Sequence, residues 1–120
     1  VFVTDSILDS IKKVLNVPAD YTAFDPDIIM HINSVFSTLN QLGVGPEEGY
    51  MIENKDAVWD SFLGGDIRLN NVKTYVYLRV RRLFDPPGTS FLNEAISQQI
   101  QELEWRINAQ REDVQWTKPL

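Results

Sequence analysis

Cysteine is absent from this chain, which removes disulfide frameworks, zinc–thiolate sites and thiol nucleophiles together. Histidine is nearly as scarce. His31 is the only one, so triads and zinc sites that need two imidazoles have no residues to draw on. It lies at the edge of an apolar helical stripe beside Val35, where a core-edge role fits it better than catalysis. Positive charge is also short: 11 Lys and Arg face 17 Asp and Glu, for a net charge of −6. Broad binding to a phosphate backbone needs a dense basic surface, so nucleic acid is a poor partner.

Long apolar runs are missing too. Nothing approaches the ~20 residues of a membrane span, and Val1-Phe2-Val3 is too short for a signal-peptide core. A soluble protein without a membrane partner is expected, and the lack of an initial Met suggests processing or truncation. The glycines form no phosphate loop, because Gly43-x-Gly45 runs into Pro and acids and Gly64-Gly65 into Asp66. Asp25-x-Asp27 and Glu47-Glu48 lack the spaced acids and closing Glu of a calcium loop. No metal, no cofactor and no enzymatic activity are expected.

What remains is helix. At 120 residues the chain is one domain, able to bury about two thirds of its unfolded surface. Thr4 and Asp5 can cap a first helix whose apolar positions are Ile7, Leu8, Ile11, Val14 and Leu15, with Asp9, Lys12 and Lys13 outside; it ends before Pro18. Asp25-Pro26-Asp27 supplies a capping side chain, a first-turn proline and a second carboxylate. The helix that follows runs to about Leu42, with Ile28, Ile32, Val35, Leu39 and Leu42 in one arc and Ile29 and Phe36 on its flank. Residues 47–54 read as an irregular or short β segment, and residues 55–63 as a short helix burying Val58, Trp59 and Phe62, closed by Gly64-Gly65.

The organising stretch is 69–108, two amphipathic helices about Asp85-Pro86-Pro87-Gly88. The prolines remove two donors and Gly88 supplies a free dihedral, so no helix continues through. Leu69, Val72, Val76, Val80 and Leu83 form the stripe of the first arm; Leu92, Ile96, Ile100, Leu103 and Ile107 form that of the second, which Thr89 or Ser90 caps. Tyr75, Leu78 and Arg82 fall nearly opposite the first stripe, and Trp105 lies across from the second. The fold class is therefore all-α, a small bundle of four to five helices with a C-terminal hairpin. Residues 1–111 make the domain and 112–120 a tail, flexible until bound.

Surplus apolar positions point to protein partners. Arg79, Arg81 and Arg82 sit on the wrong arm for a helix-turn-helix reader, since the second arm carries Glu94, Glu102 and Glu104. A solvated face or an acidic protein partner suits them better, with Arg79 and Arg82 pairing with carboxylates of a neighbouring subunit. Trp105 and Trp116 are candidate interface anchors; the bland alternative packs Trp105 under residues 47–54 of its own domain.

Trp59 with Phe62-Leu63-Gly64, then Val72-Lys73-Thr74-Tyr75-Val76-Tyr77-Leu78, Leu83-Phe84-Asp85-Pro86-Pro87 and Glu102-Leu103-Glu104-Trp105-Arg106, resemble the head-tail connector (adaptor, head completion) proteins of tailed bacteriophages, over roughly residues 7–107. The resemblance implies a structural subunit of the virion, made in the host cytoplasm and placed at the head–tail interface. It implies a ring homo-oligomer, a dodecamer in the virion, below the portal protein. Such a ring extends the DNA channel and docks a downstream stopper or tail-completion protein, with DNA only as passing cargo. On that view Tyr75, Leu78, Arg79 and Arg82 are exposed towards the adjacent subunit. The segment around Tyr50 and Ile52 projects to the channel or a neighbour, Trp105 anchors a partner, and the tail with Trp116 docks on the portal. The alternative is a soluble helical adaptor or regulatory module that binds one protein partner through the hairpin.

Overall fold

The structure, a computed structural model, describes the backbone of residues 6–63 and 69–117 and the side chains of residues 6–62 and 70–109. Five helices follow one another: α1 (Ile7–Val14), α2 (Asp25–Gln41), the short α3 (Trp59–Leu63), α4 (Leu69–Phe84) and α5 (Ser90–Thr117). The expected all-α bundle with a C-terminal hairpin is what forms, and residues 47–54 are irregular. Thr4, Asp5, Gly64 and Gly65 fall outside the described residues.

Local chemistry explains the helix ends. The cap of α1 is Ser6, whose Oγ accepts from the Asp9 N–H at 3.2 Å and donates to the Lys55 carbonyl at 2.7 Å. With the Ile7 N–H bonded to Ala57 O at 3.0 Å, this ties the start of α1 to the strand-like residues before α3. At its other end the Asn16 N–H bonds Lys13 O and the Val17 N–H bonds Lys12 O. That is a Schellman closure, with Asn16 at φ 64° in the position glycine usually takes. The same pattern closes α2, where Gly43 bonds Asn40 O and Val44 bonds Leu39 O.

Asp25 does not act as the expected capping side chain of α2. It lies inside the first turn and meets the Lys12 ammonium at 2.7 Å. Lys12, expected outside, is only 1 % exposed and also donates to Ala19 O at 3.1 Å and Tyr21 O at 2.8 Å. Val14, expected in the apolar set of α1, is instead partly open to solvent.

Packing is organised about α4, which lies between α2 and α5, while α1 packs on α2. Val72, Val76 and Val80 are fully buried, as is Tyr75. Two apolar faces on one helix are what a helix covered on both sides requires. α2 and α4 run antiparallel, since Phe24 at the start of α2 meets Phe84 at the end of α4, ring centroids 5.3 Å apart. Below them Phe36 stacks on Phe62 at 4.5 Å and meets Tyr50 and Trp59 edge-on. The Trp59 indole N–H donates to Ser10 Oγ at 2.9 Å.

Leu69 lies outside the described side chains, and among the described ones the hairpin stripes hold except at the turn. Ile96, Ile100 and Ile107 are buried and Leu103 packs against them, but Leu83 and Leu92 are exposed. The register supplies the reason. Arg82 bonds Ser97, so Phe84 stands level with about residue 95, and the first turn of α5, with Leu92, has no α4 beside it. Leu83 lies at the level where α2 only begins. Thr89 caps α5, its Oγ1 accepting from the Leu92 N–H at 3.2 Å, and the Asn93 amide donates to Pro87 O at 3.0 Å. Gly88 does not adopt a left-handed φ, so the two prolines and the Thr89 cap make the turn without the free dihedral expected of it.

Candidate assembly surface

The residues picked out on α4 turn inward. Tyr75 and Leu78 are buried within the subunit, which corrects their expected lateral exposure. At period 3.6, positions 75, 79 and 82 share a face, and that face meets α5. The Tyr75 hydroxyl donates to Glu104 Oε2 at 2.7 Å and accepts from Arg79 Nη1 at 2.7 Å. Arg79 lies 3.5 Å from the same carboxylate, and Arg82 Nη1 donates to Ser97 Oγ at 3.3 Å. Arg79 thus meets a carboxylate of its own chain, Glu104, whereas the partner of Arg82 here is the Ser97 hydroxyl. Burial, together with the hydrogen bond to Glu104, pushes the Tyr75 hydroxyl up to about 12, while Arg79 pulls the other way. A neutral phenol between a cation and an anion links the helices at a fixed register, because each group depends on the other two.

Residues 44–54 are held along α2 rather than projecting as a free loop. Asn33 grips Ile52 like a neighbouring strand, donating to its carbonyl at 3.0 Å and accepting from its N–H at 2.8 Å. Asn40 donates to Pro46 O at 3.1 Å. Ile52 is buried and Tyr50 half-buried against Phe36 and Phe62, whereas Met51 stands out.

The outward face of α5 is different. Phe91 is 78 % and Trp105 70 % exposed, so the indole does not pack under residues 47–54. Fourteen residues separate them, which returns nearly to the same face about 21 Å along the helix. Between them lie exposed Ala95, Gln98 and Glu102, and the Glu102–Arg106 ion pair of 2.6 Å flanks the indole. A second apolar patch caps the turn end, where Tyr21, Phe24 and Phe84 meet edge-to-face at 5.4 and 5.3 Å, with Leu83 beside them. Exposed rings gathered in this way mark sites of protein contact. Trp116 belongs to the helical backbone of α5, but its side chain lies outside the described ones.

Among the described residues no three His, Cys, Asp or Glu side chains come together as a metal site, and no helix is long and apolar enough to cross a membrane. The sequence missed Lys12 and Glu104. Both had a signal, since Lys12 lies four positions after Leu8 and three before Leu15, and Glu104 lies four after Ile100 and three before Ile107.

Residues 7–114 match the family described as phage connector protein. Comparison with curated proteins and with solved structures gives no match.

Proposed function

Because the chain belongs to the phage connector protein family and so has a connector-type structural role as a virion component, we propose that it is a head–tail connector subunit. It assembles as a ring below the portal, extends the DNA channel and presents a platform to the next tail component. The observation that carries this reading is the family match across nearly the whole chain. The exposed face of α5, with Phe91 and Trp105, adds to it. A ring needs a head-to-tail contact between two different surfaces of each subunit, and α5 offers one that the described residues of its own fold leave uncovered. Binding energy comes from such apolar anchors, with no turnover involved.

The net charge of −6 suits a channel through which DNA slides, since acidic walls do not hold phosphate. Residues 112–120, with Trp116, are assigned to docking on the portal.

The purified protein, alone at high concentration and mixed with portal rings, is to be followed by light scattering and electron microscopy. High-order rings, or rings seated on portals, are expected. A species that stays monomeric and does not bind portals would sink the proposal.

A further inference from the structure

The helices are joined in the order α1, α2, α4, α5, with α5 reaching the bundle chiefly through α4 and α1 chiefly through α2. Among the described residues each subunit therefore leaves two unlike faces open. On α5, Trp105 stands out beside the Glu102–Arg106 pair. On α1, the left-handed turn at Asn16 bends the chain back and opens a groove of about 760 Å³ between the outer side of the helix and residues 16–19. Val17, Pro18 and Ala19 line it together with the polar Ser10 and Asn16 and the charged Asp9 and Lys13.

The two faces complement each other in charge. One presents an exposed indole and the other a groove whose lining includes Val17, Pro18 and Ala19. Glu102 and Arg106 are one helical turn apart, as are Asp9 and Lys13. With the two helices antiparallel, Glu102 lies opposite Lys13 and Arg106 opposite Asp9 while the indole enters the groove. For a subunit with a net charge of −6, an unmatched approach of two copies is repulsive, so a contact that pairs opposite charges selects its own register.

We infer that the occupant of the α1 groove is a second copy of this chain, with Trp105 of one subunit seated between Lys13 and Pro18 of the next. The inference rests on the ring reading and names the contact that closes it. Phe91 is not part of this contact. It lies about 21 Å from Trp105 along α5, whereas α1 is only about 12 Å long, so it remains free for a different partner.

The cysteine-free chain makes the test direct. Ala19→Cys and Gln101→Cys are introduced together at exposed positions on the two faces, and assembled protein is oxidised and run without reductant. A ladder of dimers, trimers and higher species is expected. It should be absent from each single variant and from a control pair of Gln101→Cys with Met30→Cys on α2. Lys13→Glu in the Ala19→Cys, Gln101→Cys background should cut the ladder about tenfold, and adding Glu102→Lys should restore it. Rings in the microscope without a ladder, a ladder of equal strength from the control pair, or charge reversal without effect overturns this contact and leaves the ring standing. Absence of both rings and ladder overturns the ring reading as well.

Discussion

The Lys12 ammonium lies 2.7 Å from the Asp25 carboxylate, and this single contact fastens the end of α1 to the start of α2 across the connector between them. The same ammonium holds two connector carbonyls, those of Ala19 and Tyr21. Lys12→Met keeps the apolar stem and removes the charge, leaving two carbonyls without their shared donor and the Asp25 carboxylate without its counter-charge. A loss of about 2–4 kcal/mol is expected. Asp25→Asn, which leaves Lys12 its two carbonyls, should cost less, about 1–2 kcal/mol. Urea unfolding of both variants checks the order; equal losses would show that the carbonyl contacts contribute nothing.

The Tyr75 hydroxyl predicts a pH dependence at the alkaline end. Its pKa is pushed up to about 12 in the folded chain against about 10 unfolded. A folded value above the unfolded one means that the contribution is complete below pH ~10 and is lost as pH rises towards ~12, up to about 2–3 kcal/mol. Tyr75→Phe should be less stable by about 1–2 kcal/mol at neutral pH, since Glu104 and Arg79 lose their bridge. It should also lack the part of the alkaline decline that Tyr75 causes. Denaturant titrations at neutral and alkaline pH, paired with phenolate absorbance, separate this residue from Tyr21, Tyr50 and Tyr77.

Two tryptophans should behave oppositely. Trp59 is buried and bonded to Ser10, so Trp59→Ala should cost about 3–5 kcal/mol. Trp105, largely in solvent, should change subunit stability by no more than about 0.5 kcal/mol when replaced by Ala. The same replacement should impair assembly, read by light scattering at matched concentration.

Glycine positions give a third contrast. A Cβ on Gly45, at φ +88°, meets Phe62 Cε1 at 2.5 Å, so Gly45→Ala should destabilise by about 1–3 kcal/mol. At Gly88 a Cβ meets nothing within 4 Å, and Ala there should be neutral or stabilising by up to about 1 kcal/mol. Thermal unfolding of the two variants reads the difference in sign.

Helices, turns and the main apolar stripes were legible because period and breakers are local properties: Val72, Val76 and Val80 announce a buried face, and Asp85-Pro86-Pro87 announces a stop. What covers a second face is not local. Tyr75 and Leu78 carry the same pattern whether the cover is another subunit or, as here, the subunit's own bundle. Leu83 and Leu92 continue their stripes in sequence, yet register places them where the neighbouring helix has begun or ended. Lys12 shows the converse, a charged side chain on the inner side of α1 whose partners lie in a connector with no periodicity to read. For the candidate surface, Trp105 was visible as an indole off its stripe, whereas Phe91 and the groove behind Asn16 emerge only once the helices are placed.

The lengths of the two hairpin arms have a mechanical consequence. α4 has 16 residues and α5 has 28, or about 24 and 42 Å, and the Arg82–Ser97 register leaves α5 overhanging α4 at both ends. It is a beam supported at its middle. A push on either overhang tends to slide or tilt α5 against α4, and apolar contacts alone resist such sliding weakly because they have no preferred direction. The Tyr75–Glu104–Arg79 cluster sits under the beam like a pin, a directional contact that opposes sliding where the apolar seam does not.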